Sequence, residues 1–413
     1  MTKTFINIGR LIQVRESGTN ILRGAMMADV PTIENAWMAV ENGLISSYGS
    51  MDDFAASAAT EIIDLNGRMV CPTFVDSHTH LVFAEDRDEE FVMKIKGMDY
   101  QSIAEAGGGI LNSARKLQKM SLSELTERAS LRLQEAIGSG TGAIEIKSGY
   151  GLSMEAEIKM LQVVNQLAQQ FPIPIKATFL GAHAFPDKDK EKYMSSLIQE
   201  MLPEIYSQQL ADYIDCFCEE GYYTVEQMSR ILEAGEKFDL RAKVHVNQFN
   251  SIGGIEKAIE YNALTVDHLE VLSESEINLL KDSDTIPVAL PGCSFFIRIP
   301  YTPGRKIIDS GLPLVIASDF NPGSAPSFNL SLANSLAAVN MGLLPEEAFN
   351  ATTYNAAYAL ELENEVGSIT EGKRANFIVA KAGKNLNSIS YNFGVDWIDR
   401  VYINGELFSK PTI

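Results

Sequence analysis

Histidine and cysteine are both scarce in this chain, with five and four copies in 413 residues. The cysteines, Cys71, Cys216, Cys218 and Cys293, form no C-x-x-C pair and are too few for a disulfide framework. Buried free thiols are the expectation. Basic residues are in deficit, 34 Lys plus Arg against 54 Asp plus Glu, for a formal charge of -20. The resulting negative field repels phosphate backbones and anionic lipid, which argues against nucleic acid or a membrane as partner. An anionic substrate would need a local cation, so isolated arginines near a site gain interest. No apolar run approaches a membrane-spanning length, and "MTKTFINIGRLIQV" has neither an apolar signal region nor a small-residue cleavage site, so a cytoplasmic protein is expected. There is no low-complexity segment, and no G-x-G-x-x-G follows the first strand-like run.

What is present is an ordinary globular composition, 46% hydrophobic and 21% charged. The length suits one barrel-sized unit with an appendage. From residue 69 onward, eight β-type runs recur: "MVCPTFVDSHTH", "GAIEIKSG", "IPIKATFLGAH", "YIDCFCEEG", "AKVHVNQF", "ALTVDHLE", "TIPVALPGC" and "PLVIASDFNPG". Segments of helical character such as "SLSELTERASLRLQEAIGSG" and "MEAEIKMLQVVNQLAQQF" separate them. Apolar runs alternating with helices predict parallel strands with crossover helices, and eight such units close into a (β/α)8 barrel. The competing architecture is an open doubly wound sheet; the "GGGI" stretch lies in a long loop and is not read as a dinucleotide site. The two ends of the chain are different, with short strands and glycine turns. This predicts a catalytic α/β barrel over 66–361 and a small composite β-sandwich domain assembled from 1–65 and 362–413.

In such a barrel, chemistry sits at the C-terminal ends of the strands. The residues there are His78 and His80, Lys147, His183, Glu219, His245 with Gln248, His268, Cys293 and Asp319. All five histidines fall on strand ends. A single histidine beside apolar residues is usually a hydrogen-bonded core residue, but five of five is a pattern of another kind. Alternation sends His78 and His80 to the same face, where two imidazoles suit one cation. A transition metal of the zinc or iron type favours imidazole with a carboxylate, and His245 and Asp319 are the best remaining ligands. Asp319 has a competing reading as a turn carboxylate before "NPGS". Such a metal lowers the pKa of a bound water to about 7.

These residues resemble the amidohydrolase superfamily, with H-x-H on strand one, histidines on strands five and six and Asp on strand eight. The segments "HTHLVFAEDR", "GGGI", "EIKSGYGL", "GAHAFP", "VDHLE", "LPGCSFF" and "ASDFNPGS" are similar to its imidazolonepropionase family, and the likeness spans nearly the whole chain. The resemblance implies hydrolysis of 4-imidazolone-5-propanoate to N-formimidoyl-L-glutamate, the third step of histidine degradation, with one metal, zinc or iron, per subunit. It makes His78, His80, His245 and Asp319 the metal ligands. Arg87 would bind the substrate propanoate, and Tyr150, His183, Asn321, Gly323 and Ser324 would contact substrate, with Tyr100 a weaker assignment. Asp319 would accept the water proton and pass it to the leaving nitrogen, while His268 would stabilise the oxyanion. By analogy a homodimer is expected.

Two positions depart from the family pattern. Gln248 stands where many members have glutamate; an amide can hydrogen-bond the imidazolone but cannot act as a general base. Glu85 stands where glycine is usual. Two other readings share the scaffold: a deaminase or other cyclic-amide hydrolase, and an assembly protein that lost its chemistry. Arg87 argues against the first, and a complete ligand set against the second.

Overall fold

The computed structural model describes residues 2–55, 61–98, 108–186 and 188–409. Five strands come from the N-terminal part: β1 (Thr2–Ile12), β2 (Thr32–Glu41), β3 (Leu44–Ser50), β4 (Glu61–Asp64) and β5 (Met69–Pro72). Eight follow in the central part: β6 (Phe74–Asp76), β7 (Thr141–Lys147), β8 (Ile175–Ala182), β9 (Tyr213–Cys218), β10 (Arg241–Val246), β11 (Thr265–His268), β12 (Ile286–Ala289) and β13 (Val315–Ile316). The tail adds β14 (Phe377–Ala380), β15 (Ile398–Ile403) and β16 (Glu406–Leu407).

Strands β6 to β13 pair in sequential order, every pair parallel. The seam between first and last is closed by backbone bonds just beyond the strands. Asp319 N donates to His78 O at 3.1 Å, and His80 N donates to Phe320 O at 2.9 Å. Every residue of β7 and of β9 is buried, as expected of strands covered on both faces. The crossover helices begin where the sequence places caps. Ser121 Oγ accepts from Glu124 N and Glu124 returns a bond to Ser121 N, a capping box worth about 1 kcal/mol at the start of Leu122–Gly138. Ser153 caps Met154–Gln170 with its side chain alone, accepting from Ala156 N.

The terminal strands form one mixed sheet in the order β16-β15-β14-β5-β1-β2-β3, with β4 also paired to β1. Tail and N-terminal segment meet where β14 runs antiparallel to β5. The run "MVCPTFVDSHTH", which reads as one strand, therefore supplies two strands to two sheets. Thr73 N donates to Asn376 O in the tail, whereas the next residue, Phe74, donates to Gly140 O on the barrel side. Periodicity cannot show this switch because both halves are apolar and buried. Cys71, Phe74, Ile378 and Trp397 share one core across the junction, each large side chain contributing roughly 2 kcal/mol by burial. Among the described residues no helix is long and apolar enough to cross a membrane.

Candidate metal centre and active site

The barrel mouth gathers the histidines. His78 and His80 lie just past β6, on either side of Thr79, whose hydroxyl turns away to donate to Glu145 O at 2.7 Å. Both imidazoles are therefore directed to one side. Asp319, at the end of the last barrel segment, adopts a φ of 53°, a strained backbone of the kind that concentrates at functional sites. Its Oδ1 lies 3.6 Å from His78 Nε2 and 3.5 Å from His80 Nε2. His245 Nε2 is 3.4 Å from His80 Nε2. Two overlapping groups, His78 with His80 and Asp319, and His78 with His245 and His268, have donor atoms within 4.8 Å of one another.

These spacings fit a cation better than hydrogen bonds. Charge-assisted hydrogen bonds close to about 2.7–2.9 Å, whereas ligands about 2.0–2.1 Å from a shared ion are separated by roughly 3–3.5 Å. His78 Nε2 is buried and has no hydrogen-bond partner among the described residues. The opposite ring edges are held by carboxylates: His78 Nδ1 lies 2.5 Å from Asp267 Oδ2, and His245 Nδ1 lies 2.8 Å from Asp215 Oδ2. At His78 the hydrogen bond to Asp267 selects the tautomer with Nδ1 protonated and presents Nε2 to the centre, whereas the Asp215 carboxylate lies at ion-pair distance from His245 without hydrogen-bond geometry. Burial, followed by the neighbouring Lys147, pushes His78 well below the usual histidine range, and burial does the same to His80 and His245. All three are thus neutral at pH 7, the form a metal ion would bind. Asp319 is pushed by burial up to about 6, a direction that an adjacent cation reverses.

The carboxylates behind the histidines converge on Lys147. Its ammonium is 2.8 Å from Glu145, 2.9 Å from Asp215 and 4.0 Å from Asp267, with every partner fully buried. An unpaired buried charge would cost several kcal/mol, so the lysine offsets acids that would otherwise be untenable in the core. Lys147 is therefore a brace beneath the centre and not a mouth residue. β9 carries Asp215 and no lysine.

Above the histidines lies a cavity of about 1240 Å³ lined by Arg87, Tyr150, His183, Gln248, Asn321, Gly323 and Ser324, together with Lys94 and several aromatic residues. Seven of the sequence-assigned substrate positions thus share one cavity; Tyr100 lies outside the described residues. The cavity joins the centre below through His183, whose ring stacks on His80 at 5.1 Å. Arg87 Nε donates to Ser113 Oγ at 2.8 Å, and the buried Nη2 has no hydrogen-bond partner among the described residues. A Cβ at Gly323 would lie 2.6 Å from Arg87 Nη1 and push that guanidinium from its place. Asn321 ties the same loop by accepting from Gly323 N and Ser324 N, both at 2.8 Å. Gln248 Nε2 donates to Cys293 Sγ at 3.3 Å. Glu219, on the list of strand-end residues, accepts from Phe249 N and Asn250 N and so anchors the loop just after Gln248. Glu85 pairs with Lys116 at the surface, and all four cysteines are buried and free.

Sequence reasoning missed Glu157. This buried carboxylate lies in the helix after β7 and accepts from Gly149 N at 2.9 Å, Gly151 N at 2.7 Å and Leu152 N at 2.8 Å. It thereby shapes the loop that carries Tyr150, at a turn where Gly149 has φ +110°. The Gly149 carbonyl in turn accepts from His183 Nδ1 at 3.1 Å, and burial lowers His183 to about 4, so it is neutral at pH 7. Glu157→Gln turns one acceptor into a donor facing a backbone N–H, which costs about 1–3 kcal/mol. The expected result is a KM roughly tenfold higher with unchanged metal content, read by steady-state kinetics and metal analysis; an unchanged KM would contradict it. The missed signals were acids inside apolar strands or helices, Asp215 in "YIDCFC", Asp267 in "TVDHL" and Glu157 in "MEAEIKM", which look like ordinary solvated charges until their neighbours are known.

A family model for the amidohydrolase family matches residues 69–408. The chain belongs to that family. Among curated relatives, the imidazolonepropionase of Flavobacterium johnsoniae is 50% identical over 97% of this chain and 98% of its own length. That of Alkaliphilus oremlandii is 39% identical over 97% and 96%. This amidohydrolase therefore sits within the imidazolonepropionase group. Solved structures share the fold at lower identity: E. coli guanine deaminase has a TM-score of 0.74 at 16% identity, covering 98% of both chains. An adenosine deaminase from Xanthomonas campestris with bound zinc has a TM-score of 0.72 at 15% identity, covering 98% of this chain and 92% of that one.

Proposed function

We infer that this amidohydrolase hydrolyses 4-imidazolone-5-propanoate, opening its ring to N-formimidoyl-L-glutamate in histidine degradation. The curated relatives named for that activity support the reaction. The observation that carries it at the level of residues is Arg87. In a chain of charge -20, a guanidinium whose buried Nη2 has no partner among the described residues lines the cavity above the histidine cluster. That is the cation a propanoate needs.

His78, His80, His245 and Asp319 would hold one transition ion of the zinc or iron type, which supplies Lewis-acid polarisation of the ring carbonyl and activation of water at neutral pH. Arg87 pairs with the propanoate and places the ring over the cluster. Asp319 takes the proton of the attacking water. His268 holds a proton for the developing oxyanion; burial alone would lower its pKa, but Glu270 at 3.3 Å overrides this and leaves it raised. As the bond from carbonyl carbon to ring nitrogen breaks, Asp319 returns its proton to that nitrogen, so the step balances. Gln248 is left to orient the ring through its amide.

The test is ring opening of freshly generated substrate, followed by loss of its ultraviolet absorbance, with ammonia measured in parallel. Conversion without ammonia supports this reading, and ammonia release from a nucleobase in its place overturns it. Arg87→Met should raise KM roughly 30–150-fold, since truncating one member of a buried charge pair costs about 2–3 kcal/mol, with kcat changed much less. An equal fall in kcat and no change in KM would place Arg87 elsewhere.

A further inference from the structure

Beside the main centre lies a cluster that the reaction uses only in part: it employs His268 and its Glu270 partner and gives Cys293 no chemical role. β11 ends at His268 with φ +89°, and the next residue, Leu269, also has a left-handed backbone at φ +66°. Thr302 fixes the turn by donating to His268 O at 2.6 Å. The turn brings Glu270 back beside His268, and Cys293, in the helix Pro291–Ile297 after β12, completes a group whose donor atoms all lie within 4.8 Å. All three side chains are more than nine-tenths buried.

Three observations indicate a cation here. His268 Nδ1 and Glu270 Oε1 make a hydrogen bond of 3.3 Å, longer than a charge-assisted bond usually is, and that spacing also matches the edge of a tetrahedron with bonds of about 2.0–2.1 Å. Glu270 Oε2 is buried with no hydrogen-bond partner among the described residues. The donor set of imidazole, carboxylate and thiol suits zinc-class ions and is wrong for magnesium or calcium.

We propose that His268, Glu270 and Cys293 form a second cation site for a zinc-class ion, and that filling it inhibits the enzyme. The ion would share the His268 imidazole with the main cluster, whose other members in that group are His78 and His245. Binding expels the Cys293 thiol proton and the His268 Nδ1 proton to solvent, and coordinates the two atoms they leave. It also engages the sulfur that accepts from Gln248 Nε2. The inhibition, unlike the binding, rests on the inferred role of His268 in the reaction.

The experiment is titration of the holoenzyme, carrying its single resident ion, with cobalt(II). A further equivalent should bind and produce the near-ultraviolet absorption of a thiolate bound to cobalt. Cys293→Ser should lose that absorption and the further equivalent together, and Glu270→Gln should weaken it about tenfold or more. In parallel, turnover in excess zinc, relative to turnover without it, should fall for the parent protein and hold for Cys293→Ser. Absence of a thiolate band in the parent protein overturns the site without reference to any variant. Persistence of the band in Cys293→Ser overturns the assignment to Cys293. Binding without inhibition removes only the coupling to His268, and ring opening in the untreated enzyme is judged separately.

Discussion

Asp319→Asn should lower kcat by about 10³-fold or more, and it should do so in protein that still folds. The side chain is asked for two things: a ligand oxygen 3.5–3.6 Å from His78 and His80, and a base that carries one proton from water to the leaving nitrogen. The amide keeps size and polarity but is no base at neutral pH. Loss of a positioned base alone costs roughly 10²–10⁴-fold, and weaker metal retention adds to it. Metal analysis separates the two parts: an asparagine variant reloaded with metal should stay slow. Near-normal turnover in metal-loaded Asp319→Asn would assign the proton to another group.

Removing the metal has the largest expected effect. Dialysis against a chelator should abolish ring opening and re-addition of zinc or iron should restore it, because two overlapping triads of donors share His78, whose Nε2 has no hydrogen-bond partner among the described residues. The same treatment should lower thermal stability. An ion present at about a thousand times its dissociation constant stabilises the folded state by about 4 kcal/mol, and the buried neutral imidazoles would lose it together. Turnover that survives complete stripping would refute a metal role. The sign of a pH effect on retention follows from the histidines: their ring nitrogens must be free of protons to bind, so acid favours release.

Much of the site was legible because a (β/α)8 barrel places strand ends at one mouth whatever the intervening helices do. "HTH" at 78–80, His245 and the Asp of "ASDF" could be assigned to that mouth from position alone. Arg87 was legible through the family resemblance, and the acidic charge of the chain adds weight to a local cation there. The supporting layer was not. Asp215, Asp267, Glu157 and Glu270 are acids scattered over sequence distances of more than a hundred residues, and nothing local distinguishes a brace from a solvated charge. Lys147 was noted as a strand end, but its partners Asp215 and Asp267 come from other strands. The split of "MVCPTFVDSHTH" between two sheets was equally hidden, since burial on both sides erases the alternation that marks a sheet face.

By itself the sequence determined the class of the molecule: alternating apolar runs and amphipathic segments admit a parallel barrel, and histidines confined to strand ends admit a metal at its mouth. These follow from local periodicity, which survives in one dimension. Only the tertiary structure decided which nitrogen of each histidine faces the centre, which acids hold the other edge, and that His268, Glu270 and Cys293 meet. Those are distances between strands, set when the seam between Asp319 and His78 closes the barrel, and no local pattern in the chain encodes them.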